Sequence, residues 1–132
     1  MLTRDLNHPF FFAPSIVSHE LSGTTVATAT YVDMGDTIGP TTAVVVFKAA
    51  TGTPDAQEHT IKIKEADSSG GLNSSYIDGA ELKVTDDGAT VVLQAKNRSK
   101  RYVLVEVTPK FTGGTTPKAF VTAVVVAQKE RY

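Results

Sequence analysis

Three histidines, His8, His19 and His59, and fourteen carboxylates are the side chains best suited to chemistry, so their spacing decides what they can do. No two histidines form a His-x-x-x-His or His-x-His pair that would put two imidazoles on one face of an element. A zinc site is therefore not expected, and surface positions are the default for all three. Asp33-Met34-Gly35-Asp36 and Asp86-Asp87-Gly88 bring acids together, but neither continues into a calcium loop closed by a bidentate carboxylate, and Asp-Gly is ordinary turn chemistry. The nucleophile-elbow motif Gly-x-Ser-x-Gly is absent, and Gly70-Gly71 and Gly113-Gly114 lie between strand patterns, where glycine serves a turn and cradles no phosphate. Nothing singles out two acids for glycoside hydrolysis. The expectation is a non-enzyme with no metal, no cofactor and no small-molecule substrate.

Composition narrows the partners. A formal charge of −1 and a pI of about 6.3 give no field to gather nucleic acid, so none is expected as a partner. The basic run from Lys96 to Arg101 has no interleaved aromatics for base stacking and reads as a solvent-facing turn. Zero cysteines remove disulfides, thiolate nucleophiles and Cys-rich metal sites together, in keeping with synthesis in a reducing cytosol. Met1 to Asn7 lacks the basic start and apolar core of a secretory signal, and Phe10-Phe11-Phe12 is far too short to span a bilayer. Neither export nor a membrane is expected, so the acceptor patterns at Asn73 and Asn97 should stay unglycosylated. With no tryptophan and four tyrosines, an aromatic platform for sugars is poorly supplied.

The elements that must carry any site are strands. Glu58 to Ala66, Thr90 to Ala95, Arg101 to Val107 and Lys118 to Ala127 are short alternating segments separated by turn residues, an all-β signature. Thr41 to Ala50 is a β-branched run expected to be central, and Thr24 to Asp33 has a half-buried β pattern. The stretch after Asp67-Ser68-Ser69-Gly70-Gly71, through Tyr76 and Asp78-Gly79, reads as loop, Asp86-Asp87-Gly88 as a tight turn joining two antiparallel strands, and Pro109 to Pro117 as a long hairpin loop. At 132 residues the chain suits one domain, an antiparallel β-sandwich over 15–132 preceded by an extended arm over 1–14 bracketed by Pro9 and Pro14.

Two runs, Val44-Val45-Val46-Phe47 and Val121 to Ala127, are apolar on both faces, whereas a simple sandwich gives one face of each strand to water. Loops, the arm or a neighbouring subunit should cover the outer face. The candidate protein-contact residues are Val44, Val46, Val121 and Val125, with Phe10, Phe11 and Phe12 of the arm either capping the domain's own core or docking on another subunit. Cyclic closure would bury the same patch on every copy, so a homo-oligomer is the expected assembly.

The segments Val44 to Phe47, His59 to Asp67, Asp86 to Gly88, Lys100 to Val107 and Ala119 to Ala127 together resemble small virion structural proteins of tailed bacteriophages, over about Val44 to Ala127. Gly70 to Tyr76 departs from that pattern, standing where a tryptophan-bearing segment is expected. The resemblance implies a jelly-roll-like sandwich that decorates or cements a capsid, with the major capsid protein as its partner, and the local threefold axes of a capsid lattice make a homotrimer the expected oligomer. It also implies residence on the virion surface after synthesis in the host cytoplasm. A head-completion or tail component, or a sugar-binding module for host attachment, is the alternative.

Overall fold

Strand alternation sorts nearly every side chain in this molecule. In the computed structural model, which describes residues 10–35 and 37–129, His59, Ile61 and Ile63 are buried while Thr60, Lys62 and Lys64 reach the opposite, wetter side. The strands are β1 (Phe10–Ser22), β2 (Val32–Asp33), β3 (Thr37–Phe47), β4 (Ala56–Gln57), β5 (His59–Ala66), β6 (Ser75–Val84), β7 (Thr90–Ala95), β8 (Tyr102–Thr108), β9 (Phe111–Thr112) and β10 (Lys118–Lys129), with no helix among the described residues.

Sheet A has the order β1-β10-β3-β7 and sheet B the order β2-β8-β5-β6, both antiparallel, and β4 with β9 forms a short ribbon. The pairs β1·β10, β2·β8, β3·β7 and β5·β6 nest one inside the next and alternate between the sheets. A long hairpin rolled around a common core does this, and the result is the jelly roll anticipated from sequence. Sheet A faces the core with small side chains, Ala43, Ala119, Ala123 and Ala127 between Val45, Val121 and Val125. Sheet B answers with Ile61, Ile63, Val103, Val105 and Val107, so large residues sit opposite small ones and the layers interdigitate.

Several expectations change. Phe10 to Pro14 of the expected arm are extended but belong to the domain's own sheet: they pair with Gln128 to Val124 as the first half of β1, so the boundary expected at residue 14 falls inside a strand. Residues 1–9, and His8 with them, lie outside the described residues. Of Thr24 to Asp33 only Val32–Asp33 is strand, and farther along that edge β8 is met by single hydrogen bonds. The buried Ser15 hydroxyl accepts the Val105 N–H at 3.0 Å and donates to the Thr30 carbonyl at 2.9 Å, and Ala27 N–H bonds the Val107 carbonyl at 3.0 Å. A bulge in β1 between Pro14 and Ile16 turns Ser15 inward for this task.

Ser75 to Gly79, read as loop, belongs to β6, which bulges between the pairs Lys62↔Glu81 and Lys64↔Tyr76. The Asp86-Asp87-Gly88 turn joins β6 to β7 across the two sheets and closes no hairpin within one. The Pro109 to Pro117 loop likewise crosses from sheet B to sheet A and carries β9. His59 is no surface residue; it is 1% exposed, stacked on Phe47 at 5.2 Å between centroids and edge-on to Phe111 at 5.1 Å.

Candidate contact surface

The outer face of sheet A is the feature that the two-sided strands announced. Register puts Pro14, Val124, Val44 and Val92 in one row across all four strands. On one side runs Phe12, Val126, Thr42 and Gln94, and on the other Thr122, Val46 and Thr90. These rows hold no charged residue. Phe10, Phe12, Val46, Val92 and Phe120 are exposed, Phe12 at 66% and Val92 at 62%. Charges stand at the margins, where Glu20 and Lys118 approach to 3.6 Å and Lys48 and Lys96 follow β3 and β7. Two bulges and Pro14 distort β1, which blunts the open edge of the sheet and leaves its face as the larger apolar surface.

Sequence reasoning found part of this face. Phe10, Phe12, Val44 and Val46 lie on it together; Phe11 alternates inward and packs half-buried on the core. Val121 and Val125 are corrected: both are fully buried, at 1% and 0% exposure, and line the intramolecular core. Pro14, Val92, Val124 and Val126 were missed. The signal was present, since the phase of β10 holding Val124 and Val126 also holds Lys118, Thr122 and Gln128, whereas Ala119, Val121, Ala123, Val125 and Ala127 are apolar without a break.

The other sheet is built oppositely. On its outer face Lys62 and Lys64 set their ammonium groups 4.8 and 5.3 Å from the centre of the Tyr76 ring, whose hydroxyl donates to Glu106 at 2.9 Å. The hydrogen bond to Glu106, with some burial, raises the Tyr76 pKa above its ordinary value. Such a laced, charged surface is already satisfied by its own members and by water.

The basic turn after β7 borders a shallow depression of about 470 Å³ lined by Lys96, Arg98, Lys100 and Arg101 among others. Its cations are largely committed. Arg101 forks onto Asp33 at 2.7 and 2.9 Å, which with the Gly35 N–H holds that carboxyl below its ordinary pKa. Arg98 donates to the Thr37 hydroxyl at 2.8 Å and to the Lys100 carbonyl at 3.2 Å, and its burial lowers its pKa against the opposing pull of Glu65. Lys100 donates to the Asn73 carbonyl. The buried Glu65 carboxylate accepts the N–H groups of Ser99 at 2.7 Å and Lys100 at 3.0 Å, so it organises the turn from below. The turn faces solvent as expected, with Lys96, Asn97, Ser99 and Arg101 exposed, but it is pinned from below by these hydrogen bonds. Among the described residues no three His, Asp or Glu side chains are grouped to hold a metal ion.

No protein family and no curated protein matches the sequence. Solved structures do. A chain from the structure of infectious bursal disease virus, Gx strain, superposes with a TM-score of 0.53 at 10% identity, over 92% of this chain and 32% of that one. The crystal structure of the SPBc2 prophage-derived protein YomS gives 0.44 at 13% identity, over 89% and 93% of the two chains. The CBM22-1–GH10 modules of Clostridium thermocellum xylanase 10B, solved with xylohexaose, give 0.43 at 16% identity, over 89% and 24%. The first of these shows a shared fold, and this chain spans about a third of that viral chain's length.

Proposed function

We propose that this chain is a virion structural protein, a decoration or cement protein that binds the outside of a capsid lattice and bridges neighbouring major capsid subunits. The observation that carries the reading is the uncharged, apolar outer face of sheet A, set on a jelly roll whose fold a viral chain shares. Four strands spaced about 4.8 Å apart, from six-residue β7 with three outward side chains to twelve-residue β10, present on the order of 500 Å² of face. Covering all of it on both partners would bury about 1,000 Å², near the lower limit for a single specific interface, so either half of the face alone is a weak contact. One copy alone would hold weakly, so the reading includes a homotrimer whose copies engage the lattice together. The β1 side of the face, with Phe10 and Phe12, meets the capsid subunit; the β3–β7 side, with Val44, Val46 and Val92, packs on the next copy. The mechanism is mechanical, because a protein that binds only the assembled shell stabilises it by mass action. No catalytic step, cofactor, nucleic acid or membrane enters it.

The test is virion purification with copy counting by mass spectrometry, paired with binding of the isolated chain to empty shells. Hundreds of copies and saturable binding to shells support decoration. A handful of copies would place the protein at the neck or tail, and absence from the particle would refute the reading.

A further inference from the structure

His59 stands at the end of the sandwich where the β4–β9 ribbon folds over the core. Gln57 on β4 offers its side-chain carbonyl to His59 Nε2 at 2.9 Å, while its amide donates to the Asp87 carboxylate at 3.0 Å. The carboxylate only accepts, so the amide orientation is fixed and the imidazole must carry its proton on Nε2. Nδ1 is then bare, buried and without a hydrogen-bond partner. The rings of Phe47 from β3 and Phe111 from β9 pack on the imidazole, and Asp87 also accepts the Ala50 N–H at 2.7 Å. One stack thus joins the end of β3, the ribbon, the start of β5 and the turn between β6 and β7.

We propose that the Phe47–His59–Phe111 stack is an acid-sensitive latch: a proton taken up at His59 Nδ1 loosens the β4–β9 ribbon and its flanking loops from this end of the sandwich. The proton would form an N–H with no acceptor and put a charge where water cannot reach it, a cost that attraction to the Phe47 ring face only partly offsets. The charged groups on the surrounding elements are Lys48 after β3, Asp55 and Glu58 beside β4, Lys83 on β6, Asp86 and Asp87 in the turn, and Lys110 before β9. Of these, Asp87 acts on the ring and favours its charged form, but burial outweighs it and the His59 pKa lies below its ordinary value. The open state therefore binds the proton more tightly than the closed one. The latch is fully closed above the ordinary histidine range of about 6.5 and loses stability as pH falls below it, by up to about tenfold in the opening equilibrium per pH unit. Asp87 stays ionised through this window, since its bonds to Ala50 and Gln57 hold its pKa below the usual carboxylate range.

Hydrogen exchange of the full chain at pH 7.5 and pH 5.0, corrected for intrinsic rates, tests this. Protection of Ala50 to Glu58 and Lys110 to Lys118 should fall roughly tenfold or more at the lower pH while Val121 to Val126 stays protected. In His59→Phe, which fills the stack without a titrating atom, the ribbon's protection should not change with pH. Equal losses in variant and wild type, or unchanged protection in the wild type, overturn the latch. A nuclear magnetic resonance titration of the wild-type ring decides independently of whether the variant folds. A midpoint below the ordinary value, moving with ribbon opening, supports the proposal; a midpoint at the ordinary value refutes it.

Discussion

Val125 and Val44 are the same residue on neighbouring strands of one sheet, and they differ only in the direction in which the pleat points them. Val125 is fully buried, whereas Val44 sits half-buried in the middle of the outer face. Val125→Asp should therefore place an unpaired carboxylate in the core at a cost of several kcal/mol, enough to unfold a domain of ordinary marginal stability. Val44→Asp keeps its charge outside the core, on the face proposed to meet the next copy, and should change the stability of the monomer's fold by no more than about 1 kcal/mol. Urea denaturation followed by circular dichroism separates them, and two equally destabilised variants would invalidate the assignment of faces. Ser15 makes a second residue-scale case, because its hydroxyl is the partner of the Val105 N–H at an otherwise lightly covered edge of β8. Ser15→Ala should cost about 1–3 kcal/mol by leaving a buried donor unsatisfied, and a loss within error of zero would show that water replaces it.

At the scale of elements, the two loops that flank the ribbon are interlocked. Thr115 N–H bonds the Gly52 carbonyl at 2.8 Å and Thr51 N–H bonds the Lys118 carbonyl at 2.8 Å. Gly52 has φ of 80°, and a Cβ there would run into the Thr115 carbonyl and lie 2.8 Å from Pro117 Cα. Gly52→Ala should thus lose at least about 2 kcal/mol, a fall in Tm on the order of 5–10 °C, whereas Gly79→Ala, at similar φ in open space, should lose about half that. Equal losses at both sites would mean that backbone strain alone, and no collision between loops, sets the cost. Elements of this kind mark where the sequence is readable. β5, β7, β8 and β10 were legible because each carries several alternating residues with one face buried. β2 and the ribbon strands β4 and β9 were not, being two residues each, with pairing set by distant partners that no local pattern records. Tyr76 in β6 was lost to a bulge, since an inserted residue breaks the period on which the reading depends. His59 was misread for a related reason: a lone imidazole at a strand's first position has no neighbour in sequence to reveal the two phenyl rings that bury it.

At the scale of the whole molecule, the described residues lace one side with charge and leave the other an exposed, uncharged and largely apolar face, an asymmetry with little use to a free monomer. The proposed trimer follows from the size of that neutral face together with the need to hold a lattice. A face of about 500 Å² divided between a capsid subunit and a sister copy gives each contact modest strength, and linking three such contacts raises the effective affinity by about 10²–10⁴ without any new interaction. Sedimentation equilibrium of the isolated chain should therefore give three times 14.0 kDa. Val92→Asp, exposed on the outermost strand of the face, should yield a folded monomer with unchanged circular dichroism. Its binding to shells should weaken by at least about a hundredfold as the linkage is lost. Phe12→Ser lies on the opposite edge strand and should stay trimeric while losing occupancy on the shell. A wild-type monomer would remove the trimer, and a Val92→Asp variant that binds shells as tightly as wild type would show that linkage adds nothing. If Phe12→Ser dissociates the trimer while each released copy still binds the shell, the two halves of the face must exchange roles.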